Sequence, residues 1–204
     1  MRSLTLILWL AAAGTVLAAD LPPLDEFTAT MPQPAHLWVS PDGHGHDLQH
    51  AYGPGWGGQV DGTIEVQLLD DNLDPIVGYP REDIWLADVQ GDFVFCAAAN
   101  IADHDTDLDG RTTISGPFRA GGQIMPDGEA RVYVAGSPIG DAPLPLTINS
   151  PDVNGDLRVN LADIAPFVQA LQSGYDWRFD FNADGTVNLV DISIFVATLG
   201  EECP

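Results

Sequence analysis

An acidic pattern of twelve residues occurs twice near the C-terminal end of the chain. In each copy, oxygen-bearing side chains stand at positions 1, 3, 5, 9 and 12, the spacing with which an EF-hand-type loop surrounds Ca²⁺. The backbone carbonyl oxygen of position 7 is expected to supply a further ligand. Because the copies are in register at a constant offset of 28 residues, the pattern predicts two calcium sites. The predicted ligands are Asp152, Asn154, Asp156, Arg158, Asn160 and Asp163 in the first copy and Asp180, Asn182, Asp184, Thr186, Asn188 and Asp191 in the second.

The donor atoms of these loops favour calcium over other common protein metals. Ca²⁺ prefers hard oxygen ligands from carboxylates, amides and backbone carbonyls. Neither loop contains a cysteine or a histidine, which argues against zinc and copper. Position 6 needs a positive φ angle, which Gly185 adopts easily and Leu157 only at a cost of about 1 kcal/mol, so we expect the second loop to bind more tightly. The alternative is a pair of Asn/Asp-rich turns without metal.

Apolar residues follow each loop at helical spacing and predict two short helices of about ten residues. If Asp163 caps the first helix, Pro166 lies in the first turn, where no amide hydrogen bond is lost. Two helices of this length bury little surface, so we expect calcium binding to supply much of their folding free energy. The predicted apolar stripes are Ile164, Phe167, Val168 and Leu171, and Ile192, Phe195, Val196 and Leu199.

The duplicated pattern D-x-N-x-D-G-x-V-N-x-x-D, followed by an apolar helix, resembles the dockerin modules of cellulosomes. The resemblance covers Ser150 to Glu201 and implies two calcium loop–helix units that dock onto a cohesin-like or other cell-surface protein. Many dockerins place a Ser-Thr pair that contacts cohesin at loop positions 10 and 11. Here those positions are Leu161-Ala162 and Leu189-Val190. The apolar pairs therefore weaken the expectation of cohesin recognition, and they are alternatively expected to face the chain's own neighbouring domain.

The composition and the first residues indicate an exported acidic protein. Seven Lys+Arg against 30 Asp+Glu give a formal charge of −23, which excludes nucleic acid and anionic lipid surfaces as expected partners. Arg2, the apolar segment from Leu4 to Ala13 and the small residues before Ala19 predict a signal peptide over residues 1–19. This apolar segment is too short to span a membrane, and no later segment is predicted to do so. We expect a secreted, extracellular or cell-surface location.

Residues 20–148 read as short strands separated by turns. Ile64, Val66 and Leu68 alternate with polar residues, which is typical of a half-buried strand. Seven or so such strands predict a β-sandwich, and the passages Val66–Val77 and Thr106–Thr113 are similar to bacterial immunoglobulin-like domains. The dockerin-like domain then occupies residues 149–204, with 149–151 as a hinge. The other predicted strands are Leu37–Ser40, Ile84–Ala87, Phe93–Cys96, Thr112–Ser115, Arg131–Ala135 and Leu144–Ile148.

Two further groups of residues are candidate metal sites. Four histidines between positions 36 and 50 have a spacing that could bind zinc or copper, although the glycines around them favour a solvated loop. The acidic run from Asp103 to Gly110 resembles the start of a calcium loop. Position 12 counted from Asp105 is Gly116, which lacks the closing carboxylate, so a hairpin turn is the preferred interpretation. The two groups are His36, His44, His46 and His50, and Asp103, Asp105, Asp107, Asp109 and Gly110.

Aromatic residues and cysteines leave two alternatives open. Tyr52 and Trp56 lie in a glycine-rich segment, where they either stack on a glycan or anchor the packing of a loop. Trp38 and Trp85 lie in apolar strands and are predicted to belong to the core. The two cysteines at positions 96 and 203 either form a disulfide bond in an oxidising compartment or remain free thiols.

The motifs favour attachment over catalysis. The sequence contains no nucleophile elbow, metalloprotease helix or phosphate-binding loop. We therefore expect a secreted, non-enzymatic calcium-binding protein with a structural or adhesive role. The alternatives are an accessory protein of polysaccharide catabolism, which binds or less readily hydrolyses glycans, and a protein whose calcium is only an internal clamp.

Overall fold

A computed structural model describes residues 26–53 and 58–204 of the chain. The predicted signal peptide and Trp56 lie outside the described residues. The described part contains twelve β-strands followed by two α-helices at the C-terminal end, so the prediction of a mostly β protein with a small helical module is confirmed. No helix in this part combines the length and the apolar character that a membrane crossing requires.

The strands are short, and each predicted apolar run overlaps one of them. The described residues contain five further strands of two to four residues each, which are too short for an alternation of apolar and polar side chains to predict them. The observed bounds are β1 Phe27–Thr30, β2 Ala35–Trp38, β3 Ala51–Tyr52, β4 Gln59–Val60, β5 Ile64–Leu68, β6 Ile84–Asp88, β7 Phe93–Phe95, β8 Arg111–Ile114, β9 Ala120–Gly122, β10 Ala130–Val134, β11 Ser137–Pro138 and β12 Leu146–Asn149.

These strands form four small sheets around one buried core. The sheet orders are β1-β5-β8, β11-β10-β6, β12-β2-β3-β4 and β7-β9. All pairs are antiparallel except that of β12 with β2, which is parallel. Strand β12 leads the chain directly into the C-terminal module. The immunoglobulin-like sandwich stays a prediction.

Side-chain alternation decides which residues fill the β core. In β5, Ile64, Val66 and Leu68 are fully buried, as predicted from their period of two. The same alternation shows that the prediction of Trp38 and Trp85 as core residues is wrong. Each tryptophan occupies the half-buried face of its strand, because the positions before it and after it point inward.

Each helix begins directly after position 9 of its loop. Helix α1 spans Leu161–Ser173, and helix α2 spans Leu189–Ala197. The N-caps are Asn160 and Asn188, each in a capping box with the aspartate at loop position 12.

The prediction that Asp163 caps α1 is therefore wrong, and so is its consequence for Pro166. Asp163 is the third residue of the helix, because Asn160 already supplies the capping oxygen. Pro166 is then the sixth residue, where it has no amide hydrogen to donate to the carbonyl of Ala162. The helix nevertheless continues to Ser173.

A second apolar cluster holds the two helices together. The rings of Phe167 and Phe195, at equivalent positions of the two copies, stack at 5.3 Å between centroids with an interplanar angle of 6°. Phe179 and Phe181 complete the buried centre. The predicted stripes are only half buried, because each helix has a single neighbouring helix to cover it. The stripe residues that remain exposed are Val168, Leu171, Val196 and Leu199.

The predicted hinge is instead a buried junction between the two domains. Asn149 ends β12 and has no exposed surface, and its Nδ2 donates to the carbonyl oxygens of Trp177 and Asp180 at 3.1 Å each. Trp38 of the β domain packs against the apolar cluster of the helices. The disulfide between Cys96 and Cys203 is formed and ties the end of the chain to the β domain.

Candidate calcium centre

The first aspartate of each loop is enclosed by the loop's own backbone. Asp152 accepts hydrogen bonds from the amides of Asp156 at 3.2 Å and Leu157 at 2.7 Å. Asp180 accepts equivalent bonds from the amides of Asp184 at 3.0 Å and Gly185 at 2.9 Å. Because positions 5 and 6 fold back onto position 1, the chain between them forms a closed turn around one carboxylate.

The aspartate at position 12 closes each loop from the helix side. One oxygen of Asp163 accepts from the amide of Val153 at 2.9 Å, and the other accepts from the amide of Asn160 at 2.9 Å. Asp191 makes the same pair of bonds at 2.8 Å each, to Phe181 and Asn188. The short aspartate reaches the loop because the helix starts at position 10 and brings its first turn close.

Positions 3, 5, 7 and 9 are also linked to one another. The side-chain Nδ2 atoms of Asn154 and Asn182 lie 3.3 and 2.9 Å from the carboxylate at position 5 of their loops. The side chain of Asn160 faces the carbonyl oxygen of Arg158 at 3.4 Å, and Asn188 faces that of Thr186 at 3.5 Å. The structure thus gathers the predicted residues of each copy into one loop; their role as ligands stays a prediction.

Both loops require two residues with positive φ, at positions 4 and 6. In the first loop these are Gly155 at 69° and Leu157 at 66°; in the second they are Ala183 at 53° and Gly185 at 88°. Each loop therefore contains one glycine and one strained residue with a side chain. The expectation that the second loop binds calcium more tightly considered position 6 alone. The positive φ of Ala183 at position 4 offsets the advantage of Gly185.

The loops concentrate negative charge where water does not reach. Asp152, Asp163, Asp180 and Asp191 have no exposed surface. Burial raises the pKa of Asp152 to about 6, with repulsion from Asp163 as a further cause. Burial is also the largest cause of the raised pKa of Asp180 and of Asp191.

The described residues provide no positive partner for this charge. No ion pair in residues 26–53 and 58–204 joins an arginine or a histidine to a loop aspartate, and Arg158 pairs with Glu202 at 3.4 Å instead. Buried carboxylates need a counter-charge. A divalent ion that prefers oxygen satisfies this need, so the residues present fit calcium.

The four histidines considered as a zinc or copper site, His36, His44, His46 and His50, do not form a shared metal site. His46 lies between Trp38 and Tyr52, with ring centroids at 5.7 and 5.3 Å. His50 pairs with Asp47 at 2.6 Å, and His36 packs edge-on against the Trp177 ring. His44 instead contacts two carboxylates, Asp42 and Glu201. Sequence reasoning missed Glu201, since 157 residues separate it from His44.

The acidic run before β8 forms a turn, as preferred in the sequence interpretation. Asp107 accepts hydrogen bonds from the amides of Asp109 and Arg111 at 2.9 Å each, and these bonds lower its pKa. Asp103 and Asp105 accept from groups elsewhere in the domain. The carboxylates of Asp103 and Asp105 therefore serve separate hydrogen bonds, to the Thr113 hydroxyl and to the Arg81 amide.

The repeated unit of loop, capping box and helix decides the family of the C-terminal segment. Residues 150–200 match the family model of the dockerin type I domain. The C-terminal segment is a dockerin type I domain. No curated protein matches the chain. Dockerin type I domains bind calcium and have cohesins as protein partners, and they typically occur in extracellular or cell-surface proteins.

The apolar pairs of the dockerin domain face solvent. Leu161 is 77% exposed and Leu189 is 78% exposed, so the alternative that these pairs contact the chain's own β domain is wrong. The reason is helical geometry. The buried face of α1 contains Asp163, Phe167 and Ala170, and the first two helical positions lie off that face.

Proposed function

We propose that the protein is an exported, non-enzymatic attachment protein. Its dockerin domain binds a cohesin-type partner when calcium occupies the loops, and the β domain, an immunoglobulin-like sandwich, is the structural or adhesive part that is thereby attached. The supporting observation is the pair of exposed leucines, Leu161 and Leu189, which occupy the same position in both copies.

Calcium and the exposed leucines are mechanically coupled in this proposal. Leu161 is the first residue of α1, and Asp163, two residues later, closes the calcium loop. Leu189 and Asp191 have the same relation in α2. An ion held by the aspartates would therefore fix the helix start and the direction of each leucine. Because leucines replace hydroxyl side chains here, the matching partner surface should be apolar.

Surface plasmon resonance of the full chain over immobilised cohesins tests the proposal. Binding is expected in calcium and not in chelator, and the double change Leu161→Ser and Leu189→Ser should weaken it at least about tenfold. Leu108→Ser is the matched control, since this leucine is 82% exposed in the β domain. Binding that is indifferent to chelator or to the double change contradicts the proposal.

One observation favours glycan binding as a second candidate function. A groove at the domain junction is lined by Tyr175, Trp177 and His36 together with prolines, and aromatic rings of this kind stack on sugars. Tyr52, by contrast, already packs against His46. A glycan array, with Trp177→Ala as the comparison, and a reducing-sugar assay separate this accessory role from simple attachment, which predicts no signal in either.

A further inference from the structure

A histidine and two carboxylates from distant parts of the chain meet beside the C-terminal tail. The Nδ1 atom of His44 lies 2.8 Å from an oxygen of Asp42 and 2.9 Å from an oxygen of Glu201. These three ligand atoms all lie within 4.8 Å of one another. Asp42 and His44 belong to the turn after β2, whereas Glu201 follows α2, one residue beyond the dockerin match.

The protein alone does not balance the charge of this cluster. One imidazole nitrogen faces two carboxylates, although a single N–H donates one good hydrogen bond. The side chain of Glu201 is only 9% exposed, and its Oε2 is buried without a hydrogen-bond partner. An unpaired buried carboxylate oxygen is costly. A bound cation would balance both the buried Glu201 carboxylate and the neighbouring Asp42 carboxylate.

The surroundings hold the three groups in position. Asp42 accepts hydrogen bonds from the Ser40 hydroxyl and from the His44 amide, both at 3.1 Å. The disulfide to Cys203 fixes the chain two residues after Glu201. Outer contacts of this kind orient metal ligands before the ion arrives.

We propose that Asp42, His44 and Glu201 bind a divalent transition metal, best matched by Zn²⁺, which joins the C-terminal tail to the β domain. One imidazole nitrogen and two carboxylate oxygens are typical zinc donors, at about 2.0–2.2 Å from the ion. The Nδ1 atom of His44 needs to move only tenths of an ångström from each carboxylate oxygen, because tetrahedral zinc separates such donors by about 3.3 Å. His44 is 74% exposed, which leaves room for water as a further ligand.

Zinc titration of the disulfide-bonded full chain by calorimetry tests this site. Saturating calcium is kept in the buffer so that the dockerin loops do not take up zinc. The wild type is expected to bind one zinc ion here, and His44→Gln should weaken binding at least about tenfold. Glu201→Gln is a second variant. The melting temperature of each variant is measured in calcium to establish that it is folded.

His50→Gln is the matched control. His50 is also exposed and also pairs with a carboxylate, that of Asp47, but it has no second carboxylate. This variant should bind zinc as the wild type does. The proposal is overturned if the wild type binds no zinc, or if the folded His44→Gln and Glu201→Gln variants bind it as tightly as His50→Gln.

Discussion

Replacing Gly121 by alanine should disable the first calcium loop from the opposite side of the domain junction. Gly121 is the central residue of β9 in the β domain. A Cβ atom at this position would lie 2.6 Å from Cγ of Asp152 and closer still to its Oδ2. Ordinary contact begins at 3.4 Å. The glycine therefore allows the first ligand of the loop to pack directly against the strand.

Asp152 has no easy way to avoid the added methyl group. It is fully buried, and its Oδ2 holds the amide of Leu157 at 2.7 Å. If it stays in place, overpacking costs about 1–3 kcal/mol. If it moves, a charge-assisted hydrogen bond of about 1.5–3 kcal/mol is lost. A cost of about 2 kcal/mol at the site corresponds to about thirtyfold weaker calcium binding.

Calorimetric calcium titration of the full-length Gly121→Ala variant measures this effect. One of two sites should weaken by about this factor, while the other keeps its affinity, because the three atoms nearest to the added methyl group all belong to Asp152 of the first loop. Gly58→Ala is the control, since a Cβ there meets nothing within 4 Å and its φ is not in the left-handed range. Wild-type calcium affinity at both sites in Gly121→Ala would refute the reasoning.

Three further predictions concern the loops and the junction. Leu157→Gly should strengthen the first loop, and Ala183→Gly the second, by up to about 1 kcal/mol, because each relieves a left-handed residue with a side chain; unchanged calcium affinity in both would contradict this. Asn149→Ala should lower the free energy of unfolding by about 1–3 kcal/mol in denaturant titration, because it removes two buried hydrogen bonds to the dockerin domain, and a wild-type midpoint would argue against a tight junction. Calcium affinity of the first loop should fall as pH drops below about 6, because burial raises the pKa of Asp152 to about 6 and the ion must displace its proton. Without calcium, the stability of the folded protein should instead fall as pH rises. The raised pKa of Asp152 contributes stability that is present below its unfolded pKa and is lost as pH rises through about 6. Asp152→Asn should therefore remove this part of the pH dependence of the melting temperature in chelator.

The local features of the dockerin domain were predictable from sequence. The ligand spacing, the two helices and the central phenylalanines follow from patterns within about twenty residues. The start of α1 was also readable, because Asn160 followed three residues later by Asp163 is a capping-box pattern. The positive φ of Ala183 was missed, because only position 6 of the loop was expected to need a positive φ.

The junction could not be predicted, because it depends on contacts between distant residues. Nothing near Gly121 in the sequence indicates that a ligand of a later loop packs on it. The approach of Glu201 to His44 likewise depends on how β2, α2 and the disulfide are placed in space. Short strands such as β3 and β9 add to the difficulty, since they are too brief for alternation to show.

Calcium titration of the chelator-treated full chain tests the central claim most directly. The account predicts that calorimetry detects two bound calcium ions, that the melting temperature rises on addition of calcium, and that Asp180→Ala retains only one strong site while Asp71→Ala retains both. Absence of heat together with an unchanged melting temperature in the wild type would contradict it.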